Sequence, residues 1–569
     1  MSKRVVVASG YFNPLHYGHV TFLQKAKEIG SSLIVVVNND RQAALALGQE
    51  SSFTHHGMPA RDRVRLVRSL ACVDAAVEAV DSDLSVCNTL RLLHPDVFAN
   101  GGNQIASEEE TAVCKELGIE IVEGLGIEML QLKPFTQHYD WGKPQRSSCV
   151  AALAGETKLQ FPVSPSGGGK PYAELWMGDH PSGMNGVKTP KGDESLRVTL
   201  IKAPSVLGPK LAGGGQLPFL LKVLSIQKAL SIQAHPDREL AKRLHQERPD
   251  VYKDANHKPE IAIALTDFEA LCGFRPVSEL VGLLNAVPEL SSMIGGEAAE
   301  MLSNANGDPR AESIALKQAY SSMMHRSDDV ARDHVEALIK RAAAAVSADP
   351  LERAETLQPP LCPDGPLPRT RTQTAPHAMP SDLAELAIRL HGQFGNDIGI
   401  FSIFFMNYVR MHAGECLYMA QNVPHAYLSG DIVECMACSD NVVRGGLTPK
   451  YKDVEILCEM LRYEGGKPPC IKPVEVGPGS LLYEDPDIRE FQVTHITFSP
   501  GRRSRLCFSC QGPSLAFAWS GEGSVTVSGE TKALTSGVVF LLGAGVDADF
   551  HADTELDVFV ACCPPRYFS

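Results

Sequence analysis

The sequence predicts a multidomain chain: a parallel α/β layer comes first, then β-sheet sandwiches or barrels interrupted by a helical insertion. Three observations carry this. At 569 residues the chain is longer than one hydrophobic core usually serves, so several domains are expected. Short apolar strands alternate with helix-like stretches up to about residue 126, the succession that builds parallel β/α units. Beyond that point the texture changes to many short strands punctuated by Gly, Pro and Asn, as in sandwiches and barrels.

Taken in order, Val5-Val6-Val7 reads as a strand, Val20 to Gly30 as a helix and Leu33 to Val37 as a strand. Arg61 to Leu70 then reads as a helix and Ala75 to Val80 as a strand. Val97-Phe98-Ala99 and Ile119 to Val122 continue the series, which stops near Gly124-Leu125-Gly126 and sets a first domain at 1–128. Leu217 to Ile232 and Gly414 to Leu428 are strand-and-turn sequence. Between them, residues 277–395 hold helix-like stretches, Ala311 to Met324 and Ser327 to Ala345, the latter opened by Ser327 as N-cap. A Pro-rich connection from Pro359 to Pro380 follows. The insertion divides one β domain into 129–276 and 396–469. The tail, 470–569, alternates again at Glu490 to Phe498 and Ser524 to Val527 and forms a second sheet domain.

Composition narrows the function. Hydrophobic residues at 44% and charged residues at 21% are ordinary globular usage and exclude a largely disordered chain. A net charge of -14 argues against nucleic acid as a partner, so an anionic ligand must be small and locally held. The fifteen cysteines are scattered, which fits reduced thiols in a cytoplasmic protein. Cys435 and Cys438 form a CxxC with no second pair and read as buried apolar thiols. The apolar run Val5 to Ala8 has strand length, too short for a signal peptide or a membrane span, so no membrane partner is expected. The sequence assigns no oligomeric state.

In Ser231-Ile232-Gln233-Ala234-His235-Pro236 the Gln and His stand two apart, and strand alternation sends both side chains to one face. A carboxylate follows at Glu260 in Asn256-His257-Lys258-Pro259-Glu260, and an imidazole at His425 in Asn422-Val423-Pro424-His425-Ala426-Tyr427. Two His, one Glu and a Gln oxygen form a mixed N/O set that suits zinc with a position open to water or substrate. Spacing alone does not show that they converge.

The residues after about 129 resemble the type I mannose-6-phosphate isomerases. The matching segments are Tyr139 to Gly142, Ala173 to Gly178, Leu230 to Pro236, His257 to Glu260, Pro424 to Tyr427 and the long run Glu434 to Lys450. The resemblance implies cupin-type β-barrels (jelly rolls) with a helical insertion, and one Zn2+ per isomerase site held by Gln233, His235, Glu260 and His425. It implies interconversion of mannose 6-phosphate and fructose 6-phosphate through an enediol, feeding GDP-mannose synthesis. Glu434, Arg444 and Lys450 match polar positions of the family's active-site segment, Arg444 being the one most readily read as catalytic; Glu434, Lys258 and Lys450 are all candidates for the proton-transferring base. Lys222, Ser231 and Lys258 surround the metal motif and could bind the 6-phosphate of the sugar phosphate substrate.

In the first domain Gly10 to His19 follows a strand and opens onto a helix, where a phosphate would meet free N–H groups and the helix dipole. Tyr11, Phe12, Asn13, His16, Gly18 and His19 resemble the nucleotide-binding loop of the HxGH nucleotidyltransferases, supported by Val36 to Asp40 and Phe98 to Gly102. This implies a Rossmann-like α/β nucleotidyltransferase domain, cytidylyltransferase-like, taking a nucleoside triphosphate with Mg2+. Asn13 stands where many of these enzymes carry Asp, and no Ser/Thr-rich phosphate motif closes the domain. Three readings therefore stand side by side: an isomerase with an appended transferase, an isomerase whose first domain only binds a nucleotide and regulates, and a non-catalytic cupin that binds sugar.

Overall fold

The computed structural model describes residues 4–46, 58–101, 106–126, 128–156, 169–189, 192–208, 210–211, 215–305, 307–348, 379–507 and 511–568. The chain divides into two compact units. One comprises residues 1–134, 178–217 and 495–569, and the other 135–177 and 218–494. Most of the Pro359 to Pro380 connection lies outside the described residues.

The first unit opens with a parallel sheet of β1 (Val5–Gly10), β2 (Ser32–Val37), β3 (Ala75–Glu78), β4 (Val97–Gly101) and β5 (Glu120–Leu125), in the order β3-β2-β1-β4-β5. The strands are near-continuous apolar runs because both faces are covered. Alternate residues feed two cores: Val6, Ala8, Val35, Val97 and Ala99 point into one, and Val7, Val36 and Phe98 into the other. Helix α1 (Tyr17–Ile29) packs against β1, and the strand order reverses between β1 and β4, the place where doubly wound sheets take ligands. The sequence reading missed α2 (Asp40–Ala46), α4 (Cys87–Leu93) and α5 (Glu108–Leu117) but found α3 (Ala60–Arg68). Two of the missed helices are only seven residues long, whereas α5 carries a legible capping box, Ser107 to Glu110.

The same unit contains two antiparallel sheets. One runs Gly192–Ser195, Gly186–Thr189, Met129–Lys133, Val539–Leu542, Ser514–Ser520, Leu556–Cys562; the other runs Arg503–Cys507, Asp547–Ala552, Glu522–Val527, Glu530–Thr535. Their inward residues, among them Ala516, Phe540, Leu542, Val525, Phe550 and Val558, share one core. Met129–Lys133 thus pairs with Val539–Leu542, near the other end of the chain. An antiparallel pairing across some four hundred residues leaves no local trace, so a linear scan assigns the strand to its neighbours in sequence.

The second unit is built on an eleven-stranded antiparallel sheet system whose spine is His425–Ala437. Its early residues pair with Phe268–Phe274 and Ile232–Ala234, and its later ones with Phe219–Ile226 and Glu260–Ala264. The helices Val277–Ala286, Pro288–Ile294, Gly296–Ala305, Pro309–Met324, Asp328–Ala348 and Ser381–Phe394 lie within the expected insertion. Leu280, Tyr320, Val335 and Leu390 share a core with Ile232, Ala234 and Leu271, so the helices brace the strand that carries Gln233. Among the described residues no helix is long and apolar enough to cross a membrane.

Gly430 lets the spine pass from one set of partners to the other. Its φ is +110°, and a Cβ there would meet the Asp267 carbonyl oxygen at 2.5 Å. Gly430→Ala should therefore destabilise the fold by about 1–3 kcal/mol, measured by denaturant unfolding. Wild-type stability would show that the spine relaxes at this point.

Candidate metal centre and active cavity

Strand alternation puts Gln233 and His235 on one face, with Ala234 between them pointing into the helical core. Gln233 stands opposite His425 on the spine and opposite Arg444 on Val443–Gly446. Glu260 begins its own strand opposite Met436. These registers bring together residues far apart in sequence: one coordinating atom each of His235, Glu260 and His425 lies within 4.8 Å of the others. All three residues are at most 1% exposed.

The ring orientations are fixed from behind. His235 Nδ1 lies 2.7 Å from the Asn441 carbonyl and His425 Nδ1 3.0 Å from the Val423 carbonyl, so each Nδ1 carries the proton and each Nε2 keeps its lone pair. Asn441 is itself held, its amide donating to the Asp254 and Asn256 carbonyls. Both Nε2 atoms face Glu260 Oε2, at 3.3 Å from His235 and 3.6 Å from His425. Burial pushes both imidazoles down, His425 to about 4 with His235 adding to the effect, so both are neutral near pH 7. For Glu260 burial acts upward, but the Lys258 ammonium beside it outweighs this and holds the carboxyl well below its usual range. Lys258 Nζ bonds Glu260 Oε1 at 2.7 Å and leaves Oε2 free.

Two lone pairs thus converge on a carboxylate oxygen, and buried His235 Nε2 and Glu260 Oε2 have no hydrogen-bond partner among the described residues. Unpaired acceptors this deep are costly unless a cation sits among them. Gln233 Nε2 lies 3.4 Å from His425 Nε2, and its Oε1 accepts from Ser231 Oγ at 3.3 Å; turning the amide by half a revolution presents the oxygen to the site. The donor set is nitrogen and oxygen with no thiolate, which fits zinc.

In front of this cluster lies a cavity of about 250 Å³. It gathers Lys222, Ser231, Gln233, Lys258, Glu260, Glu434, Arg444 and Lys450, while His235 and His425 stand behind the lining. Lys222 and Lys258, expected at the phosphate, are each bonded to a buried carboxylate: Lys222 Nζ lies 3.0 Å from Glu434 Oε2. Burial would lower Lys222, but Glu434, Glu174 and Glu260 outweigh it and keep the ammonium charged. Glu434 also accepts from the Tyr427 hydroxyl at 3.0 Å, and its carboxyl is raised, by burial first, against the pull of Lys222. Among the described residues no carboxylate pairs with Arg444 or Lys450; Lys450 Nζ sits 5.5 Å over the Tyr139 ring. Tyr139, Trp141, Glu174 and Trp176 line the same cavity. Sequence alone assigns these four no role.

In the first unit Tyr11, Phe12, Asn13 and His16 lie in the loop between β1 and α1, and Gly18 and His19 in the first turn of α1, at the switch in strand order. The His16 and His19 ring centroids lie 3.8 Å apart with their planes tilted by 31°, and His19 Nδ1 accepts from the His16 backbone N–H. Burial, with His16 beside it, lowers His19 to about 4, leaving it neutral. Fully buried Arg63 donates to the Tyr11 and Asn38 carbonyls and so ties the loop after β1 to the one after β2. Gly102 lies outside the described residues.

Metal analysis of the purified protein is expected to find about one zinc per chain, lost in His235→Ala, which removes one of the converging lone pairs. Full zinc retention in that variant would place the ion elsewhere.

The family model for the type I phosphomannose isomerase catalytic domain matches residues 129–277, and a cytidylyltransferase-like model matches residues 7–129. The chain is 38% identical over 472 residues to mannose-6-phosphate isomerase of Aspergillus fumigatus, covering 77% of this chain and 97% of that one. It is 38% identical over 443 residues to the Bos taurus mannose-6-phosphate isomerase, covering 75% and 96%. Among solved structures, a zinc-bound mannose 6-phosphate isomerase aligns with a TM-score of 0.60 at 25% identity, over 77% of this chain and 100% of that one. A mutant of phosphomannose isomerase from Salmonella typhimurium aligns equally well, at 0.60 and 25%, over 77% and 99%. The chain belongs to the mannose-6-phosphate isomerase family, with a cytidylyltransferase-like domain in front of the isomerase.

Proposed function

We propose that the chain interconverts mannose 6-phosphate and fructose 6-phosphate by zinc-dependent proton transfer on cupin-type β-barrels, supplying mannose 6-phosphate toward GDP-mannose synthesis. The observation that carries this reading is the convergence of His235 Nε2, His425 Nε2 and Glu260 Oε2 beside a cavity of sugar-phosphate size. Gln233 completes the ligand set. When bound there, the ion supplies Lewis-acid polarisation of the sugar oxygens.

The chain's own residues divide the remaining work. Glu434 is the base: its carboxylate takes the C2 proton of the open-chain aldose, and the C–H electron pair becomes the C1=C2 bond of the enediol as O1 gains a proton. Loss of the O2 proton and return of the carried proton to C1 give the ketose, with no net change in protons. Lys258 is less suited, because deprotonating it would leave the Glu260 carboxylate without its partner, and Lys450 is exposed. Arg444 offers fixed positive charge to the developing enediolate. Lys450 and the Ser231 hydroxyl hold the 6-phosphate, since Lys222 and Lys258 spend their charge on buried carboxylates. A non-catalytic sugar-binding cupin would have no use for the Glu434 carboxylate beside the metal cluster.

The first domain is read as a nucleotide-binding one on the strength of the His16–His19 pair at the start of α1. Neutral His19 can donate a hydrogen bond to a phosphate oxygen, and Mg2+ would accompany the nucleotide. Transfer to an acceptor and simple regulatory binding separate on one measurement. Pyrophosphate release from nucleoside triphosphates with alcohol-phosphate acceptors supports transfer, and saturable nucleotide binding without release supports regulation.

Chelation should abolish mannose 6-phosphate conversion and zinc should restore it. Glu434→Gln should lower kcat by about 10²- to 10⁴-fold, and Arg444→Ala by about 10²- to 10³-fold, both with zinc retained. Wild-type turnover in either variant removes that residue from the chemistry.

A further inference from the structure

Three neighbouring strands place Trp176, Lys222 and Glu434 in one row. Trp176 stands directly opposite Lys222, and Lys222 directly opposite Glu434, so the three side chains rise from the same face. Glu174, two residues before Trp176, shares that face. All four are almost fully buried, between 3% and 6% exposed. One ammonium therefore serves two carboxylates, at 3.0 Å from Glu434 Oε2 and 4.0 Å from Glu174 Oε2. The unequal distances have a visible source. Trp176 Nε1 donates to Glu174 Oε2, the same oxygen that faces Lys222, and fixes where that carboxylate stands. The indole ring also lies 4.8 Å from the ammonium and gives the cation a π face to rest on.

A lone Lys–Glu pair would neutralise the carboxylate and weaken it as a proton acceptor. A second carboxylate drawing on the same ammonium leaves the first only partly neutralised. We propose that Glu174, set in place by the Trp176 indole, is a positioning residue that holds Lys222 between two carboxylates and so leaves Glu434 free to move the substrate proton. Glu174 acts through Lys222 and takes no proton itself. The proposal rests on the isomerase reading with Glu434 as the base.

Glu174→Gln keeps the shape and an oxygen for the indole N–H but removes the charge. With full-length zinc-loaded protein, kcat for mannose 6-phosphate should fall about 10-fold or more, while KM stays within about 3-fold and zinc content and thermal unfolding are unchanged. In a Lys222→Met background the same substitution should change kcat by less than about 2-fold, because the shared ammonium is gone. Trp176→Phe, which keeps a ring and loses the donor, should lower kcat with KM unmoved, again only when Lys222 is present. Equal losses in both backgrounds, a loss confined to KM, or wild-type kcat in Glu174→Gln while the unaltered enzyme is active would overturn the proposal. An unaltered enzyme that does not convert mannose 6-phosphate would overturn the isomerase reading together with it.

Discussion

Taking a carboxylate out of water costs several kcal/mol unless positive charge and hydrogen bonds replace the solvent, and Glu260 is 1% exposed. Lys258 supplies one such contact, on Oε1. The other oxygen is left to face two imidazoles that burial keeps neutral. A cation between them would satisfy these facing acceptors, and several elements of the second unit position the residues that would hold it. The long spine carries His425, the helical core braces the strand of Gln233, and Asn441 locks the His235 ring through its carbonyl.

Charge in the cavity is divided by depth. Lys222 and Lys258 are committed to carboxylates and set the electrostatics of the buried wall, whereas Arg444 and Lys450 have no carboxylate partner among the described residues. On the proposed reading, the second pair is left to meet the anionic substrate. The same division explains how a protein of net charge -14 can attract a sugar phosphate: the positive field is local.

Much of this was legible along the chain, for identifiable reasons. Period-two alternation marked Gln233 and His235 as a pair, and the switch from β/α units to short punctuated strands marked the change in architecture. Convergence was not legible, because it depends on registers such as Gln233 against His425 that join distant strands. Glu174 and Trp176 were passed over for a related reason: on a fully buried strand they look like core, and only the Lys222 opposite gives them meaning. The pairing of Met129–Lys133 with Val539–Leu542 was hidden in the same way. In the first unit the loop from Tyr11 to His19 was visible as a motif, but Arg63, which anchors it, lies on a helix whose sequence shows only an ordinary charged face.

On the proposed function, one zinc held by nitrogen and oxygen atoms of the second unit enables the isomerisation. Zinc-edge X-ray absorption on the active enzyme tests it most directly. The expected spectrum shows a coordination shell of light atoms at about 2.0–2.2 Å, with scattering from two imidazole rings and no sulfur. A sulfur shell near 2.3 Å, or an active enzyme that holds no zinc, would contradict it.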